Sequence, residues 1–146
     1  MSKTSMTKAE REAFLAETHV GVFSVSEPER GPLSIPVWYH YEPGGVVRFT
    51  TGGGSKKATL MRASSRATLL VQTEAPPYKY ASVEGLVRFA GAPDFERDVR
   101  AVAIKYLGKE MGEVYLASVA NEYQDVVLVE LTPERWYTVD YAKSFG

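Results

Sequence analysis

Residues 31–57 read GPLSIPVWYHYEPGGVVRFTTGGGSKK, and the alternation inside this stretch decides the fold class. From Leu33 to Tyr41, Leu33, Ile35, Val37, Tyr39 and Tyr41 fall on one side while Ser34, Pro36, Trp38 and His40 fall on the other. A period of two with one apolar side belongs to a half-buried strand. Pro36 has no N–H to give to a ladder, so this strand is expected at a sheet edge, or bulged at that point. Glu42-Pro43-Gly44-Gly45 carries turn chemistry, and the strand that follows, Val46–Thr51, is expected to fold back on the first as a hairpin.

Working outward, the same pattern recurs. Val20–Ser26 is rich in β-formers and stops at the turn composition Glu27-Pro28-Glu29-Arg30-Gly31. Ala67–Gln72 is a continuous apolar run, expected to be buried on both faces, and Tyr80–Ala90 is the longest strand, with Ala81, Val83, Gly85, Val87 and Phe89 on its apolar side. Asp125–Leu131 and Trp136–Tyr141 close the chain around Thr132-Pro133. Between the strands lie short helices. Thr7 and Glu10 form a capping box for a helix over 7–17, with Ala9, Ala13, Phe14 and Ala16 as its buried stripe. Ser55 caps a helix that runs to Arg62, and Pro93-Asp94 opens one in which Phe95, Val99, Val102, Ala103 and Tyr106 recur at helical spacing until Gly108. A weaker helical pattern covers 109–118. About seven antiparallel strands with a few short helices indicate a mainly β, Greek-key type small barrel with peripheral helices. The whole chain, 1–146, is expected to be one domain, with no repeat or linker.

Composition narrows the chemistry. With 45% apolar and 24% charged residues, the chain is ordinary for a soluble globular protein, and no apolar run approaches membrane-spanning length. No charged-then-apolar signal segment opens it, so a cytoplasmic location is expected. The absence of cysteine excludes thiolate metal sites, iron–sulfur clusters and Cys nucleophiles together. The only histidines, His19 and His40, form no local metal motif. There is no G-x-S-x-G elbow and no H-E-x-x-H helix, which leaves a borrowed cofactor as the natural source of any chemistry.

Charge then singles out one region. Net charge is −1, yet Val46–Thr73 holds Arg48, Lys56, Lys57, Arg62 and Arg66 with no acidic residue, which makes that window +5 and leaves −6 elsewhere. A basic island in an acidic chain suits a local anionic ligand better than nucleic acid. Within it, Thr50-Thr51-Gly52-Gly53-Gly54-Ser55-Lys56-Lys57 puts a glycine loop before a helix start, where backbone amides and the helix dipole favour phosphate or carboxylate. It is neither a Walker loop nor a dinucleotide fingerprint. Trp38, on the side away from Leu33 and Ile35, is expected either to mark an interface or planar ligand, or to lie under a helix. Pro76-Pro77-Tyr78-Lys79-Tyr80 is a rigid strand entrance suited to lining a pocket.

The order and spacing of THVGVFSV at 18–25, the long run from Gly31 to Gln72 and YASVEGLVRF at 80–89 resemble the pyridoxamine 5′-phosphate oxidase-like split β-barrel superfamily. More narrowly, they resemble its actinobacterial flavin/deazaflavin oxidoreductases, which use coenzyme F420. The resemblance spans Thr7 to Tyr141 and implies a split barrel that is homodimeric, with the cofactor at the subunit interface and a small or medium unsaturated organic substrate. It implies that Pro36, Val37 and Trp38 lie beside the ring, that Thr50 and Thr51 follow the ribityl chain, and that Ser55, Lys56 and Lys57 hold the phosphate. Arg62 would meet the anionic tail of F420, and Gln72, Tyr78 and Tyr80 the ring or substrate, with Tyr78, Tyr80 or solvent as proton donor. FMN is the alternative cofactor, and a non-catalytic flavin- or haem-binding role the alternative function. The closing RWYTVDYAKSFG lacks the Arg- and Leu-containing ending of pyridoxamine phosphate oxidases, which argues against that particular activity. The outward Trp38 and the aromatic C-terminus are further reasons to expect a homodimer.

Overall fold

A computed structural model describes residues 2–122 and 125–145. Seven strands, β1 (Gly21–Val25), β2 (Leu33–Val37), β3 (Val47–Gly52), β4 (Arg66–Gln72), β5 (Lys79–Phe89), β6 (Val126–Leu131) and β7 (Arg135–Asp140), pair antiparallel throughout. Their order is β2-β1-β4-β5-β6-β3, with β7 also on β5. β5 is the strand around which the sheet curls: it pairs with β4 along one edge, and along the other with β7 at 79–84 and then with β6 at 87–89. At the fork a side chain has no room, because a Cβ on Gly85 would overlap the Thr132 carbonyl oxygen.

The ends of this path, β2 and β3, curl towards each other and, among the described residues, join at one bridge, where His40 and Arg48 exchange N–H···O bonds of 2.8 and 2.9 Å. Pro36 therefore sits on an edge strand, as its missing N–H requires. The expected hairpin between Leu33–Tyr41 and Val46–Thr51 does not form. β2 pairs with β1, and β3 pairs with β6 about eighty residues away, so the Glu42–Gly45 turn spans the split in the barrel. The result is the mainly antiparallel split barrel that the sequence implies.

The core follows the strand alternation. Val37, Tyr39 and Tyr41 from one side of the quoted stretch pack with Phe23, Val47, Phe49, Leu69, Val71, Ala81, Val83 and Leu131. Tyr39 is fully buried, its hydroxyl donating to the Leu15 carbonyl at 2.6 Å. Helix α1 (Lys8–Ala16) carries the expected capping box, but it is Phe14 and Leu15, rather than its alanines, that plug the barrel. β4 is not buried on both faces: Ala67, Leu69 and Val71 point inward while Leu70 is half-exposed. The outer face there is open in one chain. Helix α2 (Lys56–Ser64) follows β3, capped by Ser55, whose side chain accepts from the Ala58 N–H. Between β5 and β6 a π-helical segment (Phe95–Arg100) runs into α3 (Ala101–Leu107), and α4 (Lys109–Ser118) folds back against it. The apolar stripe begins at Val99; Phe95, expected to share it, is exposed with the Arg100 guanidinium over its ring. Among the described residues no helix is long and apolar enough to cross a membrane.

Candidate functional site

The helical hairpin of residues 95–118 covers the gap left between the edges of β2 and β3, and a cavity of about 340 Å³ lies beneath it. Pro36, Val37 and Trp38 line one side, Phe49 and Thr50 the floor, and Val99, Val102, Ala103 and Tyr115 the helical wall. Lys57 enters from the first turn of α2 and Asp98 from the π segment. Apolar side chains and the polar groups of Thr50, Lys57 and Asp98 share its wall, a make-up suited to a small-molecule site.

The basic island resolves into five different situations. Lys56 pairs with Glu27 at 2.8 Å and points away from the cavity. Arg66 is shared between Glu84 and Glu134 at 3.6 and 3.4 Å. Arg62 donates to the Gly53 carbonyl at 2.9 Å and lies over the Phe89 ring. Arg48 Nε stands 3.7 Å from Asp98 Oδ1, buried and without a hydrogen bond of its own. Lys57 alone of the five has no ion-pair or hydrogen-bond partner among the described residues, and burial pushes its ammonium pKa down. Asp98 shares the cavity but is engaged with Arg97 and Arg48, and a half-buried cation with no partner of its own is costly unless a ligand supplies one.

The glycine loop serves the fold more than an anion. The Gly53 N–H donates to the Asp125 carbonyl at 2.7 Å, and a Cβ on Gly53 would meet the Asp125 carboxylate at 3.2 Å. Its close approach is thus to β6 and not to an open cradle. What remains for an anion is the start of α2, where the Lys56 and Lys57 amides have no intrahelical carbonyl to bind, next to the Lys57 ammonium. Thr51 is buried with its hydroxyl 3.3 Å from the Ser55 hydroxyl, so both shape this turn without lining the cavity.

Trp38 takes the second of its two expected outcomes and lies under a helix. Its indole stacks on Tyr106 with centroids 5.1 Å apart and planes within 6°, and Tyr115 tilts against it at 5.3 Å. It lines the cavity with one face of its ring taken by Tyr106. Gln72, Tyr78 and Tyr80 do not line it within one chain: Gln72 and Tyr78 are exposed, and Tyr80 stacks on Tyr137. They belong to the outer face of the sheet, where cross-strand partners Pro36, Val22, Leu70, Ser82 and Tyr137 form a row over five strands. Since Pro36 also lines the cavity, the mouth of the cavity and this open face are continuous.

Asp98 is the residue that sequence reading missed. Its side chain is 3% exposed, and it accepts from the Asp94 N–H at 2.8 Å and from Arg97 Nε and Nη2 at 2.7 and 2.8 Å. Burial works to raise its pKa, but the Arg97 bonds, the Asp94 N–H and the charges of Arg97 and Arg48 outweigh it and hold the carboxyl below its ordinary value. The available signal was an acidic residue beside the apolar stripe position Val99.

A split antiparallel barrel with a ligand-sized cavity between its two open edges defines the class of protein. The sequence pattern of the pyridoxamine 5′-phosphate oxidase family matches residues 7–140, and the chain belongs to that family. Among solved structures, a conserved hypothetical protein from Mycobacterium tuberculosis is similar at a TM-score of 0.81 with 21% identity, covering 100% of this chain and 92% of the other. An F420 reductase gives 0.62 with 20% identity over 86% of this chain and 94% of its own. A FAD-binding protein from Mesorhizobium loti gives 0.62 with 16% identity over 91% and 92%. At these identities the likeness is one of fold. No curated protein matches in sequence.

Proposed function

We propose that the protein is an oxidoreductase that holds a flavin-type cofactor, F420 in the first instance, in the cavity beneath the helical hairpin and acts on a small or medium unsaturated organic substrate. The observation that carries this is Lys57, a half-buried ammonium without a partner among the described residues, beside the amides that begin α2 and on the wall of the cavity. That donor set fits a phosphate, and the apolar walls from Pro36, Val37, Val99 and Ala103 fit a planar ring system. The family membership and an F420 reductase of the same fold support the reading. When bound, the cofactor supplies hydride chemistry. The chain's own residues bind and orient it: Lys57 neutralises the phosphate, Thr50 offers a hydroxyl, and the hairpin excludes water from the wall.

FMN is the second reading, and one observation favours it. Arg62, expected to meet the anionic tail that F420 carries and FMN lacks, is committed to Gly53 and Phe89. A homodimer belongs to the proposal on new grounds. Trp38 is covered by the chain's own helices, but the row of Val22, Leu70 and Tyr137 is apolar and open, with Tyr137 68% exposed, and it leads to the cavity mouth at Pro36. A second copy on this face would cover the outer side of β4 and bring Gln72, Tyr78 and Tyr80 to the site.

Fluorescence titration of the purified protein with F420 and, separately, with FMN tests the reading. Binding of either, followed by oxidation of the reduced cofactor when unsaturated substrates are added, is the expected result. Binding without turnover over a broad substrate panel would favour a carrier, and binding of neither would end the cofactor proposal.

A further inference from the structure

The hairpin that walls the cavity touches the barrel at two kinds of contact. Near the end of α3, the Tyr106 hydroxyl donates to the His19 carbonyl at 2.6 Å and accepts the Tyr39 N–H at 3.1 Å, while its ring lies flat on Trp38. That attachment is made of neutral hydrogen bonds and ring stacking, with the Lys105 ammonium over the Tyr39 and Tyr106 rings. At the other end, the π segment meets β3 through Asp98, with Arg48 Nε 3.7 Å from Oδ1. Between these two points stand Val99, Val102 and Ala103, the residues that form the apolar wall.

The geometry points to Asp98 as a positioning residue: its carboxylate draws the π segment onto Arg48 of β3 and thereby sets the distance between the helical wall and the Thr50–Lys57 side of the cavity. Three features carry this. First, Asp98 is nearly fully buried at the boundary of the hairpin and the barrel, where a carboxylate is retained only with partners. Second, its bonds to the Asp94 N–H and the Arg97 guanidinium lie within its own segment and fix its rotamer, so the charge reaches the barrel from a rigid base. Third, Arg48 Nε is a buried donor with no hydrogen bond, and Asp98 is the carboxylate in ion-pair range of it, while the cross-strand neighbour Glu130 pairs with Arg88. Arg100, paired with Glu96 and Glu113, ties the same segment to α4. Asp98 acts through the wall and contacts no reacting group in this account. The inference extends the proposed function, but its structural part stands apart from any cofactor.

The test uses both parts. In a Trp136→Phe background Trp38 is the sole tryptophan, and its quenching by acrylamide reads how firmly the hairpin is seated. Asp98→Asn is expected to raise that quenching with far-UV circular dichroism unchanged, and to weaken binding of FMN or F420 by about tenfold. Asp98→Glu is expected to restore both in part. Arg48→Met, which leaves the bonds of Asp98 within its own segment intact, must raise the quenching as Asp98→Asn does, and it decides the matter if the Asn variant does not fold. Unchanged quenching in the folded variants overturns the inference, as does wild-type affinity in Asp98→Asn. Should the unmodified protein bind neither FMN nor F420, the cofactor reading fails while the quenching result still judges Asp98.

Discussion

The two flanks of this barrel are finished in opposite ways. Where β2 and β3 leave the sheet open, the chain supplies its own cover, a helical hairpin that stacks Tyr106 on Trp38 and walls an open-mouthed cavity. Over β1, β4, β5 and β7 it supplies none, and Val22, Leu70 and Tyr137 face outward in a row. An apolar surface needs a cover in both places. One cover is intramolecular and makes a pocket; the other, in our proposal, is a second copy. The affinity of the pocket should accordingly depend on the first flank, and the mass of the particle on the second.

Variants can break or sharpen that contrast. The largest effect is expected where the flanks share support. Phe23 is completely buried between them, and Phe23→Ala should cost about 3–5 kcal/mol in urea denaturation, with both cavity and outer face lost together. Retained ligand binding after such a loss would show the two to be separable. Next in size, Lys57→Ala should weaken FMN or F420 binding by about tenfold, the worth of a charge-assisted bond. Lys56→Ala should barely change it, because Lys56 is exposed and engaged with Glu27. Equal losses in the two variants would mean that α2 is gripped differently from what the cavity suggests.

On the open flank, Tyr137→Asp should lower the stability of a single chain by no more than about 1 kcal/mol, since Tyr137 is 68% exposed and loses chiefly its stacking on Tyr80. The same change should turn a two-chain mass into a one-chain mass by light scattering. A particle of unchanged mass would move the dimer contact elsewhere. The smallest effect concerns pH. Burial first, then Arg48 and Lys105, hold His40 below its ordinary pKa against the pull of Glu42. The unfolded chain therefore binds the proton more readily, and the contribution of neutral His40 is full above about pH 6.5 and lost as pH falls through the lower folded value. Melting temperatures at pH 7 and pH 5 should differ less in His40→Asn than in the parent. His40 forms the bridge to Arg48 across the split, so an equal difference would mean that the seam carries no pH dependence.

Local chemistry was legible and partner choice was not. The Thr7–Glu10 box, the Ser55 cap and the edge position of Pro36 depend on residues within a turn of one another, and each stands as read. The hairpin expected after Tyr41 gives way to a longer-range pairing because turn composition fixes where a chain reverses, not which strand it then joins; β3 pairs with β6 far along the chain. Likewise, Leu69, Leu70 and Val71 run together at the centre of β4, and Leu70, flanked on its face by Thr68 and Gln72, does not say by itself that this face lacks a cover inside the chain. Lys57 was legible as a candidate cation, but its distinction from Lys56 depends on Glu27, almost thirty residues away. Asp98 was hidden because its partner Arg48 lies across the barrel split, and an acid beside a stripe reads as solvent-facing until the other wall is known.

Gly85 has a consequence for anyone who surveys tolerated substitutions. At the fork where β5 passes from β7 to β6, even a methyl group collides with the Thr132 carbonyl, which is backbone and has no other rotamer to adopt. A saturation library should therefore return glycine there as strictly as it returns lysine at position 57 under selection for activity. The two kinds of intolerance part under a selection for expression alone: position 57 opens to other residues, and position 85 stays closed.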